Sequence, residues 1–309
     1  MLYLQINERD VVNPNGLVAG IAPHDDYLYA GRVYYPLLHA IQAREVVIFG
    51  VTHASVRKEI GDPRGKILLD DFSHWQGLYK NVPVSGLRAY LLSHMDTSMV
   101  KVHSKAHSLE HSIEAQIPFL QYFNPEIQIT PIMVTAMSLE RMDEVSDQLC
   151  DAICHYLSEK ELEPGTDLFF LISSDANHYG QDFQNQRFGL DEQAHAKATA
   201  EDLELIRSYL CGTIDAEKIT GLTDELWGAR YDQSTRFLWC GRYSIPFGAM
   251  TVEKVMQQML DKPIRGTLLR YSDTYSEGVL PIRKAGMGIT APFSLKHWVG
   301  FFSLGYYIH

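Results

Sequence analysis

Three short apolar runs, each followed closely by a histidine, constrain the fold of this 309-residue chain more than any other feature. The runs span residues 17–22, 46–51 and 168–173 and are rich in β-branched and aromatic side chains. Continuous apolar runs of this length are typical of strands buried on both faces of an α/β sheet. The histidines that follow them are His24, His53 and His178. Because such sheets bind ligands at their carboxyl edge, the sequence predicts a histidine-lined site there.

The segments between these runs show helical spacing of apolar residues. We predict a helix over 33–43 with Pro36 in its first turn, and a helix over 109–123 that Pro118 bends or divides. The remaining predictions are helices over 138–157, 191–210 and 245–260, strands over 267–275 and 299–307, and a surface excursion over 57–80. No repeat or linker divides the chain, so residues 1–309 are predicted to form one α/β domain with a central mixed sheet flanked by helices.

Composition narrows the function classes. Lys and Arg number 27 against 38 Asp and Glu, a net charge of −11, which disfavours binding to phosphate backbones. No stretch approaches the roughly 18 apolar residues of a membrane span, and the first ten residues lack a signal peptide's apolar run. Four cysteines are too few for a disulfide framework. We therefore expect a soluble, cytoplasmic protein with reduced thiols that binds neither nucleic acid nor membranes.

An HxxEH string runs from His107 through Glu110 to His111. On a helix this spacing places both imidazoles on one side, where they hold zinc in some peptidases while the glutamate handles a proton. The alternative is a helix start whose acidic residues, Glu110 and Glu114, suit the helix dipole. A five-residue pattern in a chain with 13 histidines is a weak signal, so both interpretations stay open.

Two further patterns receive structural interpretations. Cys150 and Cys154 are four residues apart on a predicted helix, which more often indicates a packed face than a metal pair. Residues 286–291 match GxGxxA, but Pro292 follows, and no acidic residue lies between the pattern and the C-terminus. A dinucleotide site needs a helix and a ribose-binding carboxylate there, so this segment is predicted to be a turn.

A more dispersed set consists of His24, His53 and Cys240. Two neutral imidazoles and one anionic ligand, with coordination positions left open, are the arrangement that non-heme iron uses, and a thiolate also suits copper or zinc. Cys240 follows an apolar run and precedes a predicted helix, where the helix N-terminus and Arg242 would favour the thiolate. Spacing alone still favours the alternative, in which the three residues are unrelated and the histidines are hydrogen-bonded in loops.

Seven stretches of the chain resemble one known family. They are APHDDYLYAG (22–31), FGVTH (49–53), HSLEHSIEAQIPFLQ (107–121), ISSDANHYG (172–180), CGRYSIPFGAM (240–250), RYSDTYSEG (270–278) and VGFFSLGYY (299–307). Taken in this order they are similar to the Memo family, also called AmmeMemoRadiSam system protein B. The resemblance covers nearly the whole chain, which makes it specific although each motif is imperfect.

The resemblance implies a fold similar to class III extradiol dioxygenases, with a site at the strand ends of one Memo-like domain. It also implies that His24, His53 and Cys240 are metal ligands. The residues that it places around them are Asp175, His178, His111 and Glu114. On this basis the HxxEH string is a family signature and not independent support for a peptidase.

The chain departs from the family pattern beside two of the expected ligands. Asp25 stands where the family usually has a small residue, and Ala54 stands where it often has a second histidine. Within the family, some members resemble redox-active metal proteins, whereas animal members act as adaptors that engage phosphotyrosine peptides. Because both departures lie beside expected ligands, they affect the expected metal and substrate and leave the expected fold unchanged.

The leading functional expectation is an oxidoreductase that uses Fe(II) or Cu, with zinc as a further candidate. His178 is its acid/base, because an imidazole exchanges protons near neutral pH, and Asp175 orients that ring or binds substrate. His111, Glu114 and Asp25 are expected around the substrate. The second hypothesis is a non-catalytic module that binds a phosphorylated or acidic small molecule or peptide in the same cleft. The third is the zinc peptidase.

Overall fold

Buried apolar runs form the strands of the sheet in this computed structural model, which describes residues 1–8, 12–227, 237–282 and 294–308. Extended backbone suits these runs because β-branched and aromatic side chains pack well on a pleated surface. The strands are β1 Leu17–Ala22, β2 Glu45–Gly50, β3 Ile67–Leu69, β4 His74–Trp75, β5 Val82–Pro83, β6 Val100–Val102, β7 Gln128–Val134, β8 Leu168–Ser173, β9 His178–Gly180, β10 Gly212–Thr213, β11 Arg265–Asp273 and β12 His297–Tyr307.

Ten of these strands form one mixed sheet in the described part of the chain. Its main path runs β10-β11-β12-β1-β8-β2-β7-β3-β6, with β9 paired to β12, while β4 and β5 form a separate hairpin. The neighbours β1, β8, β2 and β7 are parallel, whereas β12 is antiparallel to β1 and β3 to β7. The carboxyl ends of β1, β8 and β2 therefore meet at one edge, and the predicted α/β domain with a central mixed sheet is confirmed.

Helices cover both faces of this sheet. They are α1 Leu2–Asn7, α2 Tyr27–Leu38, α3 Ala54–Ile60, α4 Gly86–His94, α5 Ser104–Leu109, α6 Ile117–Phe123, α7 Leu139–Lys160, α8 Glu192–Leu205, α9 Ala216–Trp227 and α10 Ser244–Leu260. A 3-10 turn, Glu114–Gln116, precedes α6, and a π-helical turn, Ile206–Leu210, follows α8. None of the helices in the described ranges has both the length and the apolar character needed to cross a bilayer.

The central strand β8 has its side chains in two separate cores. Phe170 packs in the cluster that includes Leu149 of α7 and Val252 of α10. Its neighbour Phe169 packs in the cluster on the other face, which includes Leu37 of α2. Because successive side chains of a strand point to opposite faces, a strand buried on both faces must be apolar throughout. This requirement explains the unbroken apolar run in the sequence.

Helix boundaries differ from the predictions around α2 and α8. The helix predicted over 33–43 is α2, which starts at Tyr27, so Pro36 lies inside it and not in its first turn. Its early start places the helix N-terminus directly after the residues that leave β1. The helix predicted over 191–210 is α-helical only to Leu205 and continues as the π-helical turn. The turn predicted over 286–291 lies outside the described residues.

The surface excursion predicted over 57–80 is wrong for part of that segment. Ile67–Leu69 forms β3, whose three residues are fully buried, with Ile67 opposite Val134 of β7 and Val100 of β6. The first residues of the predicted excursion, 57–60, belong to α3, which ends at Ile60. A strand of three residues is too short to produce a recognisable period, so Gly and Asp on either side of it dominated the sequence pattern.

Candidate metal centre

Adjacent parallel strands bring the predicted site residues together. His24 follows β1 and Asp175 follows β8, while His53 follows β2 as the residue that precedes α3. Because these strands are neighbours in the order β1-β8-β2, the three residues leave the sheet side by side. Cys240 approaches the same edge from the segment that leads into α10, and its Sγ lies 3.3 Å from His24 Nε2.

His24 belongs to two groups of side chains whose atoms are close enough to hold a metal ion. One group is His24, His53 and His111, the other is His24, Asp175 and Cys240, and within each group the ligand atoms lie within 4.8 Å of one another. Asp175 Oδ2 is 3.3 Å from His24 Nε2. His24 is therefore close to both other residues of the predicted set, but His53 and Cys240 belong to different groups.

The tautomer of His24 follows from the hydrogen bonds of Ser173. The Ser173 hydroxyl donates its one hydrogen to the Ser112 carbonyl (2.7 Å). Its oxygen must then accept from the Gln116 amide at 3.1 Å and from His24 Nδ1 at 2.8 Å. Nδ1 of His24 consequently carries the hydrogen. The lone pair of this buried ring is on Nε2, the atom that faces Cys240 and Asp175.

The ring of His53 is fixed by Glu110. One carboxylate oxygen of Glu110 accepts from His53 Nδ1 at 2.8 Å, and the other accepts from the His53 backbone N–H at 3.0 Å. Glu110 also accepts the backbone N–H groups of His111 and Ser112. Burial opposes ionisation of Glu110, but the hydrogen bonds and charge of His53 and the Ser112 N–H outweigh it and lower its pKa to about 2. In the neutral form of the ring, this hydrogen bond places the hydrogen on Nδ1 and leaves the lone pair on Nε2.

His111 stacks on His53, with ring centroids 4.7 Å apart and planes within 8°. Its side chain is 61% exposed, which leaves the ring accessible from solvent. His111 shares a cleft of about 320 Å³ with His24, Asp25, Tyr27 and Glu114. The three residues expected around the substrate, His111, Glu114 and Asp25, therefore lie together beside His24. His111 and Glu114 do not share an α-helical face, since Glu114 begins the 3-10 turn.

The acidic groups around His24 have raised pKa values. Burial raises the pKa of the Cys240 thiol well above its ordinary range, and the Asp175 carboxylate adds to this effect. Burial therefore outweighs the stabilisation of a Cys240 thiolate that we expected from Arg242 and the helix N-terminus. Burial also raises the pKa of Asp175 and, together with Asp175, raises that of Asp25 to about 8. A bound cation would reverse these shifts because it stabilises the charged forms.

Two backbone carbonyls hold the His178 ring. Its Nδ1 lies 3.1 Å from the Ala176 oxygen and 3.0 Å from the Leu238 oxygen, so Nδ1 carries the hydrogen. Asp175, which was expected to orient this ring, instead accepts the backbone N–H of His24 at 2.9 Å. Burial lowers the pKa of His178, and the Asp175 charge opposes that effect only in part. His178 is thus a neutral imidazole near pH 7 with its lone pair on Nε2.

The HxxEH string does not lie on one helix. Helix α5 ends at Leu109, and Glu110 adopts an extended conformation that separates His107 from His111. His107 is buried, lies 3.0 Å from the Leu68 carbonyl through Nε2 and contacts the edge of Trp75. The pair of imidazoles on one helical face that a zinc peptidase of this type needs is therefore absent, and that interpretation of the string is wrong.

A second cleft, of about 250 Å³, opens on the other side of His53. His178 and Cys240 line it, and so do the guanidinium-bearing residues Arg57 and Arg242. The first cleft contains carboxyl groups, whereas this one contains two cationic side chains. The candidate centre is therefore flanked by one cleft with acidic side chains and one cleft with basic side chains.

Asp202 of α8 braces the segments that carry His178 and Cys240. This buried carboxylate accepts from Trp239 Nε1 at 2.9 Å, from the Tyr271 hydroxyl at 2.8 Å and from the Asn177 backbone N–H at 3.3 Å. The Asn177 side-chain oxygen in turn accepts from the Leu238 N–H at 3.3 Å. Burial outweighs these hydrogen bonds and raises the pKa of Asp202 to about 7. The residues immediately before His178 and Cys240 are therefore held by one side chain.

The sequence analysis missed the roles of Glu110, Ser173 and Asp202. Glu110 stands beside His111 in the HxxEH string, so the string itself was the available signal, although its interpretation assumed a helix. Ser173 ends the apolar run of β8, and a hydroxyl at the carboxyl end of a buried strand is a usable signal for a contact at the site. Asp202 gave no such signal, because a polar residue in an amphipathic helix is ordinary.

Comparison with known proteins agrees with the geometry. The model of a family described as Memo-like protein matches residues 12–277. This chain belongs to the Memo-like family. The resemblance seen in its motifs is thereby confirmed, including the stretches around His24, His53 and Cys240.

Individual relatives carry the same family description. The chain is 30% identical over 210 residues to a MEMO1 family protein of Thermotoga maritima, covering 66% of this chain and 67% of the relative. It is 30% identical over 165 residues to one of Saccharolobus islandicus and 29% identical over 167 residues to one of Metallosphaera sedula, each covering 52% of both chains. The matched region thus spans about half the length of the latter two Memo-like relatives.

The depressed pKa of Glu110 predicts a pH-dependent contribution to stability. Its folded pKa of about 2 lies below the ordinary 4.5, so the stabilisation is complete above pH 4.5 and is lost as the pH falls towards 2. Glu110→Gln should lower the free energy of unfolding by about 3 kcal/mol at pH 7. Urea unfolding of both proteins at a series of pH values measures this difference.

The exposed Glu114 provides the matched control. Glu114→Gln should change the free energy of unfolding by less than about 0.5 kcal/mol at every pH, because substitutions at exposed sites are usually neutral. The wild-type advantage over Glu110→Gln should narrow steadily below pH 4.5. An advantage that stays constant down to pH 3 would contradict the assignment.

Proposed function

We propose that this chain is a metal-binding oxidoreductase that resembles the extradiol dioxygenases and holds one Fe(II) or Cu ion with His24, His53 and Cys240. The observation that carries the proposal is the orientation of two imidazoles. Nδ1 of His24 is hydrogen-bonded to Ser173, and Nδ1 of His53 is hydrogen-bonded to Glu110. Each neutral ring therefore retains a lone pair on Nε2. Histidines that bind metals characteristically donate their second ring nitrogen to the protein in this way.

Two members of the donor set, His24 and Cys240, are spaced as ligands of one ion, and the His53 side chain would have to move towards Cys240 to join them. His24 Nε2 and Cys240 Sγ are 3.3 Å apart, and two ligands of one tetrahedral ion, each about 2.0–2.3 Å from it, are separated by about 3.5 Å. Two imidazoles and one thiolate leave coordination positions open, which suits Fe(II) or Cu, and zinc is a further candidate for the same donors. His111 and Asp175 lie close enough to adjust this set. Thiols and carboxyls whose pKa values are raised by burial gain the most from a bound cation.

The surrounding residues supply proton transfer and substrate binding. When bound, the metal would supply a Lewis-acidic, redox-active centre that holds substrate and oxygen together. His178 would act as the base, because its imidazole is neutral near pH 7 and its Nδ1–H is already engaged, so Nε2 takes the proton. Asp25 lines the cleft beside His24 and would hydrogen-bond the substrate there. Asp175 would keep His24 in place by accepting the hydrogen bond of the His24 backbone N–H.

The ligand assignment predicts which histidine determines metal content. Protein purified without oxygen should lose metal in His53→Ala by at least about tenfold, since changes to the partners of metal ligands alone cost about 10–100-fold in affinity. His107→Ala should retain the wild-type metal content, because His107 is turned towards Leu68. Elemental analysis per folded chain measures both. Equal losses in the two variants would contradict the assignment.

The role of His178 predicts a loss of turnover without a loss of metal. General acid/base catalysis contributes about 10²–10⁴-fold in rate, so His178→Gln should slow oxygen consumption on catechol-like compounds by that factor. The variant should keep its metal, because His178 belongs to neither group of candidate ligands in the described residues. Loss of metal in this variant would make His178 a ligand and overturn the proposed role.

The second candidate function is binding of a phosphorylated or acidic group without catalysis. The observation that favours it is the pair Arg57 and Arg242 in the cleft with His53 and His178, in a chain whose net charge is −11. Guanidinium groups match phosphate and carboxylate oxygens.

Arg57→Gln tests this candidate. Charge-assisted hydrogen bonds contribute about 1.5–3 kcal/mol, so Arg57→Gln should weaken binding of a phosphotyrosine peptide at least about tenfold while metal content is unchanged. Arg64→Gln is the control, because Arg64 is 44% exposed and does not line this cleft. Binding that is equal in all three proteins would reject this function, and turnover in the wild type would favour the oxidoreductase.

A further inference from the structure

A pair of thiols lies far from the candidate centre, on the face of α7 that packs against α10. Cys150 and Cys154 are both buried, at 3% and 4% exposure, and their Sγ atoms are 3.8 Å apart. Residues four apart project from the same side of a helix, so the backbone holds the two sulfur atoms side by side. Gln258 lies near the end of α10, about 20 Å along that helix from Ser244, where α10 begins beside the candidate centre.

A third donor comes from the opposite helix. The side-chain oxygen of Gln258 is 3.3 Å from Cys150 Sγ, which donates to it. Cys150 and Gln258 both line a cleft of about 420 Å³ between the two helices. Cys150 and Gln258 therefore meet beside a space that opens to solvent, with Cys154 Sγ 3.8 Å from Cys150 Sγ.

The separations match those of ligands on one tetrahedral ion. A Zn–S bond is about 2.3 Å, which places two thiolates of a tetrahedral site about 3.8 Å apart. An oxygen ligand at about 2.0–2.2 Å from the same ion lies about 3.6 Å from each sulfur. The two observed distances, 3.8 Å between the sulfur atoms and 3.3 Å from Cys150 Sγ to the Gln258 oxygen, are each within about 0.3 Å of these values.

The charges around the cleft favour a cation. Asp147, Asp151 and Glu253 line it together with Lys254. The Lys254 ammonium is already engaged by Asp143 at 2.7 Å and by Asp147 at 2.5 Å. A divalent cation would balance the charge of the two thiolates.

We propose that Cys150, Cys154 and Gln258 form a second metal site, for a thiophilic divalent cation such as Zn²⁺. Two thiol protons leave as the two metal–sulfur bonds form, and the fourth position is open to water or to a carboxylate of the cleft. The site joins α7 to α10 and does not depend on the function proposed for the first centre. The i,i+4 cysteine pair is thus a chelating pair and not only a packed face.

Cd²⁺ provides a direct probe, because thiolate-to-Cd²⁺ charge transfer absorbs in the ultraviolet. Titration of the reduced, metal-free full chain with Cd²⁺ should show one equivalent whose absorbance corresponds to two thiolate bonds. Cys150→Ala and Cys154→Ala should each lose that equivalent, and Gln258→Leu should weaken it. Cys211→Ala is the control, because Cys211 is a partly buried cysteine outside this cluster. Retention of the two-thiolate signal in Cys150→Ala, or its absence from the wild type, overturns the proposal.

A second measurement requires no substitution. Cd²⁺ should slow alkylation of Cys150 and Cys154 in the wild-type chain, with each cysteine followed by mass spectrometry, and should leave Cys211 unprotected. Cys240 is followed in the same digest and reports separately on the first centre, so that failure of one site is distinguishable from failure of the other. Alkylation of Cys150 at the same rate with and without Cd²⁺ rejects the second site.

Discussion

The parallel pairing of β1, β8 and β2 is the interaction on which the candidate centre depends. Backbone hydrogen bonds hold these strands in register, with Ile21 opposite Ile172 and Ile172 opposite Phe49. The chain therefore leaves all three strands at the same level. His24 and His53 come from segments far apart in sequence, yet their rings lie 5.2 Å from each other because the sheet fixes where each segment begins. Loops alone would not position two imidazoles so closely.

The site is built from polar groups placed where the fold would otherwise be apolar, and this has a stability cost. Asp25 and Asp175 have raised pKa values because their charged forms are poorly solvated. Above its ordinary pKa, such a carboxyl keeps a proton that the unfolded chain has lost, so stability falls as the pH rises until the group ionises. Glu110 has the opposite effect, since its hydrogen bonds make the folded state prefer the charged form. The same few residues thus set both the chemistry of the site and the pH range over which the fold is stable.

The parts that were predictable from the sequence are those in which local pattern and tertiary environment agree. Both β1 and β8 have the predicted bounds, because a strand buried on both faces produces an unbroken apolar run. β3 lacked that signal because it is only three residues long. Glu110 was placed on a helix because its neighbours favour one, whereas its bonds to the His53 segment require extended backbone. That requirement comes from a residue 57 positions away, which no local pattern records.

The contacts of Asp202 bear on which positions of this chain can change without disturbing the site. One carboxylate supports both of the neighbouring segments that carry His178 and Cys240, so a change at Asp202 disturbs both segments at once. Arg57 and Glu114 line the clefts from other segments of the chain, so a change at either one leaves these contacts of Asp202 in place. New ligand preferences would therefore arise from substitutions at the edge of the clefts, while Asp202 and its hydrogen bonds stay unchanged. By holding the segments beneath the cleft, Asp202 allows the side chains at its edge to be substituted without loss of the site.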